Sequence, residues 1–123
     1  MLATPDIRLL LADDDSRFRE TVIELLDSHF EIIAVESGEQ AIEVVESQIV
    51  SAAILDMHMH CLTGLDTLRV LREREPGLPC ILMSSEVTAA LESAAHDLHV
   101  FSVLRKPPTR SVLLETISGA LQL

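Results

Sequence analysis

The sequence predicts an α/β fold in which a five-stranded parallel sheet is covered on both faces by five helices. Three observations carry this. Five short apolar runs each lead into a segment of helical periodicity. Strand and helix alternate strictly, with no repeat, low-complexity tract or linker between units. The length, 123 residues with 48% hydrophobic, suits one core. One domain over residues 1–123 is therefore expected.

The first strand is read over Ile7 to Ala12, an apolar run bounded by charge. Phe18, Val22, Leu25 and Leu26 then recur at helical spacing, with Arg17, Arg19, Glu20 and Glu24 outside. Phe30 to Val35 is the second strand. Ser37 and Gln40 have the spacing of a capping box before a helix carrying Ala41, Ile42, Val44 and Val45. Ala52 to Asp56 is the third strand, apolar until its last residue. Gly64 breaks the chain, and Leu65, Leu68, Leu71 and Arg72 carry a helix to Glu75, where Pro76-Gly77 stops it. Cys80 to Ser84 is the fourth strand, Thr88 to His96 a short alanine-rich helix, and Val100 to Leu104 the fifth strand. After Pro107-Pro108 the closing helix carries Val112, Leu113, Thr116, Ile117 and Leu121.

Composition narrows the function. The formal charge is −11. A surface this acidic repels phosphate backbones, so direct nucleic-acid binding is not expected, whereas basic protein patches and divalent cations suit it. Without Trp or Tyr there is no aromatic platform for single strands. No run approaches the roughly 20 residues of a membrane span, and no export signal is visible, so a cytoplasmic place with reduced Cys61 and Cys80 is expected.

In open parallel sheets ligands sit outside the carboxyl ends of the strands. The first strand ends in Asp13-Asp14, the third in Asp56, the fourth in Ser84-Ser85 and the fifth in Arg105-Lys106. One edge would thus gather three carboxylates, a hydroxyl and the chain's single lysine. Three close carboxylates repel, and a hard divalent cation, Mg²⁺ or Mn²⁺, relieves that better than zinc does. An anion with several oxygens fits between cation and Lys106, and a phosphoryl group on Asp56 meets that description. Taken singly, Asp14 or Asp15 is equally a helix cap, and Asp56 a turn residue. The joint arrangement carries the argument.

With LLLADDDSRFRE at the first strand, AAILDMHMHCLTGLDTLRVLRE around the third, PCILMSSEV at the fourth and VLRKPPT at the fifth, the chain resembles a response-regulator receiver domain. The resemblance implies a flavodoxin-like, doubly wound sheet of order 2-1-3-4-5. It implies that Asp56 is the phosphoacceptor, served by a sensor histidine kinase or phosphotransfer protein. Asp14 would ligate Mg²⁺ directly, Asp13 through water and His58 through its backbone carbonyl. Ser84 and Lys106 would contact the phosphoryl group, and the Lys106–Pro107 bond would be cis. His58 and Glu86, two past the acceptor and two past the hydroxyl, would modulate hydrolysis. The fourth-helix, fifth-strand and last-helix face would switch, with Val103 at the switch position, for a downstream protein or fused output domain, or for a second copy in a homodimer. Kinase docking would use the first helix, where Phe18 and Val22 also serve the core.

The sequence departs from that pattern at four places. His60 stands where the loop usually has proline, Thr63 where an acid usually precedes the glycine, Val103 where an aromatic is usual, and His99-Val100 where a small pair is usual. His58 and His60 flank Met59 beside the acceptor and have the donor chemistry for a transition metal, although loop histidines commonly face solvent. These departures keep a rival in view, a pseudo-receiver acting by protein interaction without phosphorylation. The intact Asp13, Asp14, Asp56, Ser84 and Lys106 set favours the phosphorylatable reading. A Mg²⁺-dependent hydrolase with an aspartyl nucleophile ranks below both, since the chain has no spare length for a substrate cap.

Overall fold

The computed structural model describes residues 7–26 and 28–123. The elements run β1 (Arg8–Ala12), α1 (Ser16–Leu26), β2 (Glu31–Val35), α2 (Gly38–Ser47), β3 (Ala52–Asp56), α3 (Gly64–Arg74), β4 (Cys80–Ser84), α4 (Ala89–Asp97), β5 (Ser102–Arg105) and α5 (Arg110–Leu121). The five strands form one parallel sheet in the order β2-β1-β3-β4-β5. This is the α/β, flavodoxin-like architecture that the sequence predicts.

Alternation along the strands divides the core. Leu9, Leu11, Ile54, Ile81 and Met83 face one side, where they pack with Val22 and Leu26 of α1 and Leu113 and Ile117 of α5. Leu10, Ala12, Ala53, Leu55 and Leu82 face the other, against Ala41 and Val45 of α2, Leu68 and Leu71 of α3, and Ala95 of α4. Each fully buried leucine is worth about 1.5–3 kcal/mol over an exposed one. The continuous apolar runs of β1, β3 and β4 follow from burial on both faces.

Strand boundaries shift slightly. Ile7 lies just outside β1, though its carbonyl accepts from the Glu31 N–H at 3.0 Å. Phe30 is a buried residue before β2. Val100 and Phe101 lie before β5, since the Val100 N–H bonds Ala95 O at the end of α4 and strand pairing begins with Ser102 opposite Ile81.

Caps explain the helix starts. Asp15, not Asp14, caps α1, since its Oδ1 accepts from Arg17 N–H at 3.0 Å. Ser37 caps α2, but the return bond from Gln40 goes to the Glu36 N–H, so the box is offset by one residue. A full capping box, missed in the sequence, joins Thr63 and Asp66 at α3. The Thr63 backbone N–H, and then its hydroxyl, hold the Asp66 carboxyl below its ordinary range. Thr88 and Thr109 cap α4 and α5.

Arg72 ties three segments together. Its Nε donates to Leu98 O at 2.9 Å, and its Nη1 to Pro76 O at 2.9 Å and Leu78 O at 2.8 Å. The C-terminus of α4 is thereby fixed to the α3–β4 connection. No helix among the described residues is long and apolar enough to cross a membrane. Cys61 and Cys80 are both free thiols, and burial pushes the Cys80 thiol up to about 11.

Candidate functional site

The strand register builds the site. Ala12 is level with Leu55, so Asp13 and Asp56 leave the sheet side by side where the connection after β1 runs to one side, to β2, and the connection after β3 to the other, to β4. Asp13 is 0% and Asp56 2% exposed, whereas Asp14 opens to solvent. One oxygen of each carboxylate lies within 4.8 Å of the others. Lys106 follows β5 and extends across β4. Its Nζ donates to Asp13 Oδ2 at 2.8 Å and lies 3.3 Å from Asp56 Oδ1.

Asp13 is saturated. Its Oδ1 accepts from the Asp15 N–H at 2.9 Å, its Oδ2 from Lys106, and its backbone carbonyl from Arg19 Nη1 at 2.7 Å. Asp14 keeps its carboxylate turned outward, with His60 Nε2 3.9 Å from its Oδ2. Burial first, and then the Asp13 charge, raise the Asp56 carboxyl above its ordinary value, against the opposing pull of Lys106. Burial works against the Lys106 charge too, but the Asp13 hydrogen bond and the two carboxylate charges outweigh it and hold the ammonium above its ordinary value.

Glycine is required at the start of α3. A Cβ on Gly64 would lie 2.4 Å from Asp56 O and 2.7 Å from Leu82 Cδ1, so α3 begins directly against the end of β3. Between them the loop is pinned by Met59, which is 7% exposed, while His58 and His60 face outward. Cys61 turns the loop at φ 66°.

The other sequence-predicted residues fall around this cluster. The Ser84 hydroxyl, 1% exposed, donates to Glu86 O at 2.9 Å and accepts from the Glu86 N–H at 3.3 Å. The Glu86 and His58 side chains are exposed. Val103 is half-buried, packed with the α4-side core. The Lys106–Pro107 bond is cis. His96 and His99 are exposed. Phe18 and Val22 both belong to the core, and Phe18 has a second use that the sequence did not reveal: its ring lies under the Lys106 ammonium.

Three oxygen donors from carboxylates, one of them solvent-facing, suit a hard divalent cation. Asp14, with its oxygens turned to solvent, would hold it, with Asp13 and Asp56 behind.

Comparison with known proteins agrees with this geometry. Residues 9–118 match the response regulator receiver domain family. The chain is 28% identical over 115 residues to the transcriptional regulatory protein GlrR of Escherichia coli K12, covering 93% of this chain but 26% of that protein. It thus spans about a quarter of that relative's length. A receiver domain protein (CheY-like) from Methanospirillum hungatei JF-1 superposes with a TM-score of 0.90 at 19% identity, covering 94% of each chain. A receiver domain protein from Clostridium thermocellum superposes at 0.83 with 26% identity, again covering 94% of each.

Proposed function

The chain belongs to the response regulator receiver domain family, and from that premise we propose that Asp56 takes a phosphoryl group from a phosphohistidine of a sensor kinase or phosphotransfer protein. A receiver fold with clustered Asp13, Asp14 and Asp56 is the phosphoacceptor arrangement of a Mg²⁺-dependent pocket. The observation that carries the individual assignment is Asp56 itself, buried at the end of β3 beside the buried Asp13 and 3.3 Å from Lys106.

In the reaction an Asp56 oxygen forms a bond to phosphorus while the phosphorus–nitrogen bond of the donor breaks, and the imidazole leaves with the electron pair. Such transfers depend on position and on neutralising the equatorial oxygens. A bound cation supplies part of that neutralisation. Asp14 would hold the cation directly, Asp13 through water and His58 through its carbonyl. Mg²⁺ or Mn²⁺ fits the oxygen donors. Lys106 meets the phosphoryl group as a compact point charge. Ser84 leaves its Glu86 partner to hydrogen-bond the phosphoryl, and the loop after β4 follows it. His58 and Glu86 then border the path of the hydrolytic water.

The added charge, about −1.5 to −2, shifts the α4–β5–α5 face between two states for a downstream protein or output domain. Val103 is too short and stiff to swing as a ring does, so the loop itself carries the change. We read residues 1–123 as one domain working in the cytoplasm.

The test is intact mass after incubation with acetyl phosphate and Mg²⁺, beside Asp56→Asn. A phosphoryl adduct that needs Mg²⁺ and is absent from Asp56→Asn is the expected result. No adduct, together with no response to beryllofluoride, would favour a pseudo-receiver.

A further inference from the structure

We propose that Arg19 is a positioning residue for phosphoryl transfer: through its bond to the Asp13 carbonyl it fixes the peptide between Asp13 and Asp14, and so sets where the Asp14 carboxylate stands relative to Asp13 and Asp56. The proposal rests on the reading of Asp56 as the phosphoacceptor. It adds a residue that shapes the site without touching the reacting groups.

The contact is short and comes from a fixed base. Arg19 Nη1 donates to Asp13 O at 2.7 Å, and the Arg19 backbone N–H bonds Asp15 O at 3.0 Å in the first turn of α1. A guanidinium donor makes a charge-assisted bond, about twice as strong as a neutral one. The carbonyl it holds belongs to the planar unit that ends at the Asp14 Cα. Holding that oxygen therefore holds the direction in which Asp14 leaves the loop. The other side of the turn is closed by the Asp15 N–H on Asp13 Oδ1 at 2.9 Å.

Asp14 depends on this plane more than its neighbours do. Asp13 and Asp56 are buried and both meet Lys106. The Asp14 carboxylate has only the exposed His60 imidazole near it, at 3.9 Å. A side chain so loosely partnered takes its orientation from its backbone.

The choice of acceptor also matters. Among the described residues Arg19 forms no ion pair with a carboxylate. An arginine paired with Asp14 or Asp56 would occupy the oxygens that the reaction uses. On a main-chain carbonyl it sets a permanent positive charge beside the acid cluster and leaves those oxygens open. Arg17, in the same turn, is exposed and makes no such bond through its side chain.

The experiment uses the full chain. Amide NMR shifts with Mg²⁺ alone give the affinity, and intact mass with acetyl phosphate gives the phosphorylation rate across Mg²⁺ concentrations. In Arg19→Met the Mg²⁺ affinity should fall about tenfold, the loss expected when a partner behind a ligand is removed. The half-saturating Mg²⁺ for phosphorylation should rise by the same factor, while the rate at saturating Mg²⁺ stays within about threefold. Arg17→Met removes the same charge from the same turn and should change the affinity less than about twofold, because exposed charge is screened. Arg19→Lys keeps one cationic donor and should recover most of the loss. The Asp15 amide should exchange faster in Arg19→Met, with the β3 and β4 amides unchanged. A lower urea midpoint with unaltered Mg²⁺ dependence would make Arg19 a brace for the fold and overturn the proposal. An equal effect from Arg17→Met would reduce it to net charge and overturn it too. Both results leave the phosphoacceptor reading standing, whereas a native chain that takes no phosphoryl group overturns both.

Discussion

The Lys106 ammonium lies 4.2 Å from the centroid of the Phe18 ring while donating to Asp13 Oδ2 at 2.8 Å. An ammonium on a ring face gains about 0.5–1 kcal/mol at an exposed site and more when desolvated. The ring also closes one side of the ammonium to water, so Phe18 positions Lys106 towards Asp56.

Phe18→Leu should keep the core filled and lose the ring face. Phosphorylation from acetyl phosphate should slow about fivefold, the equivalent of about 1 kcal/mol, with cation affinity unchanged. Phe18→Tyr should restore the rate. Lys106 is the chain's one lysine, so its side-chain NMR signal is unambiguous, and it should lose its ring-current shift in Phe18→Leu. An unmoved signal would separate Phe18 from the site.

Lys106→Met should leave the fully buried Asp13 charge without its ammonium. Breaking such a pair costs about 3–5 kcal/mol, measurable by urea denaturation. The sign of the pH dependence follows from the raised Lys106 value. A raised base contributes stability below its unfolded value of 10.5, and the contribution is lost as pH climbs through the higher native value. The difference between native and Lys106→Met chains should therefore shrink in strong alkali.

Asp56 runs the other way in charge. Its carboxyl is raised chiefly by burial, so it favours folding below 3.8, and that contribution disappears as pH rises through the native value. Asp56→Asn removes a buried charge beside Asp13. Its urea midpoint should exceed the native one at neutral pH, and the gain should vanish in acid below the unfolded carboxyl value. Equal midpoints at neutral pH would contradict the burial argument.

Gly64→Ala should cost about 1–3 kcal/mol by overpacking, because the new methyl meets the Asp56 carbonyl. Gly77→Ala, with nothing within 4 Å of the added carbon, is the matched control and should be near neutral. Thermal denaturation compares the two. The Gly64 variant should also phosphorylate more slowly, since its clash is with the acceptor's own backbone.

Arg72→Lys keeps the charge but loses the planar fork that reaches Leu98, Pro76 and Leu78 carbonyls together. A loss of about 2 kcal/mol is expected. Hydrogen exchange should quicken first at the α4–β5 turn, where the Val100 N–H bonds Ala95 O. Uniform quickening across the sheet would instead mark a global loss.

Much of this molecule is written locally. Buried strands need unbroken apolar runs, and helices need a periodic face, so β1, β3 and β4 and the order of all ten elements are legible residue by residue. The acidic strand ends are legible because each apolar run stops at its charge. β5 starts at Ser102 rather than Val100, because a single apolar run does not say where ladder bonding begins. The Thr63–Asp66 box is visible in the sequence as a threonine three residues before an acid.

Distance along the chain decided the rest. Phe18 and Lys106 are far apart in sequence, and no periodicity connects them; only the crossing of β4 by the lysine places one over the other. Arg72 reads as the polar edge of a helix until α4 packs close enough to offer its carbonyls. His58 and His60 are equivalent in the sequence. Burial of Met59 and the turn at Cys61 bring only His60 to Asp14. Which side chains stand at the strand ends follows from the order of residues alone, because burial and hydrogen bonding along each strand are local demands. Tertiary structure decided which of them touch, because register and helix packing set the ångström-scale separations on which charge and ligation depend.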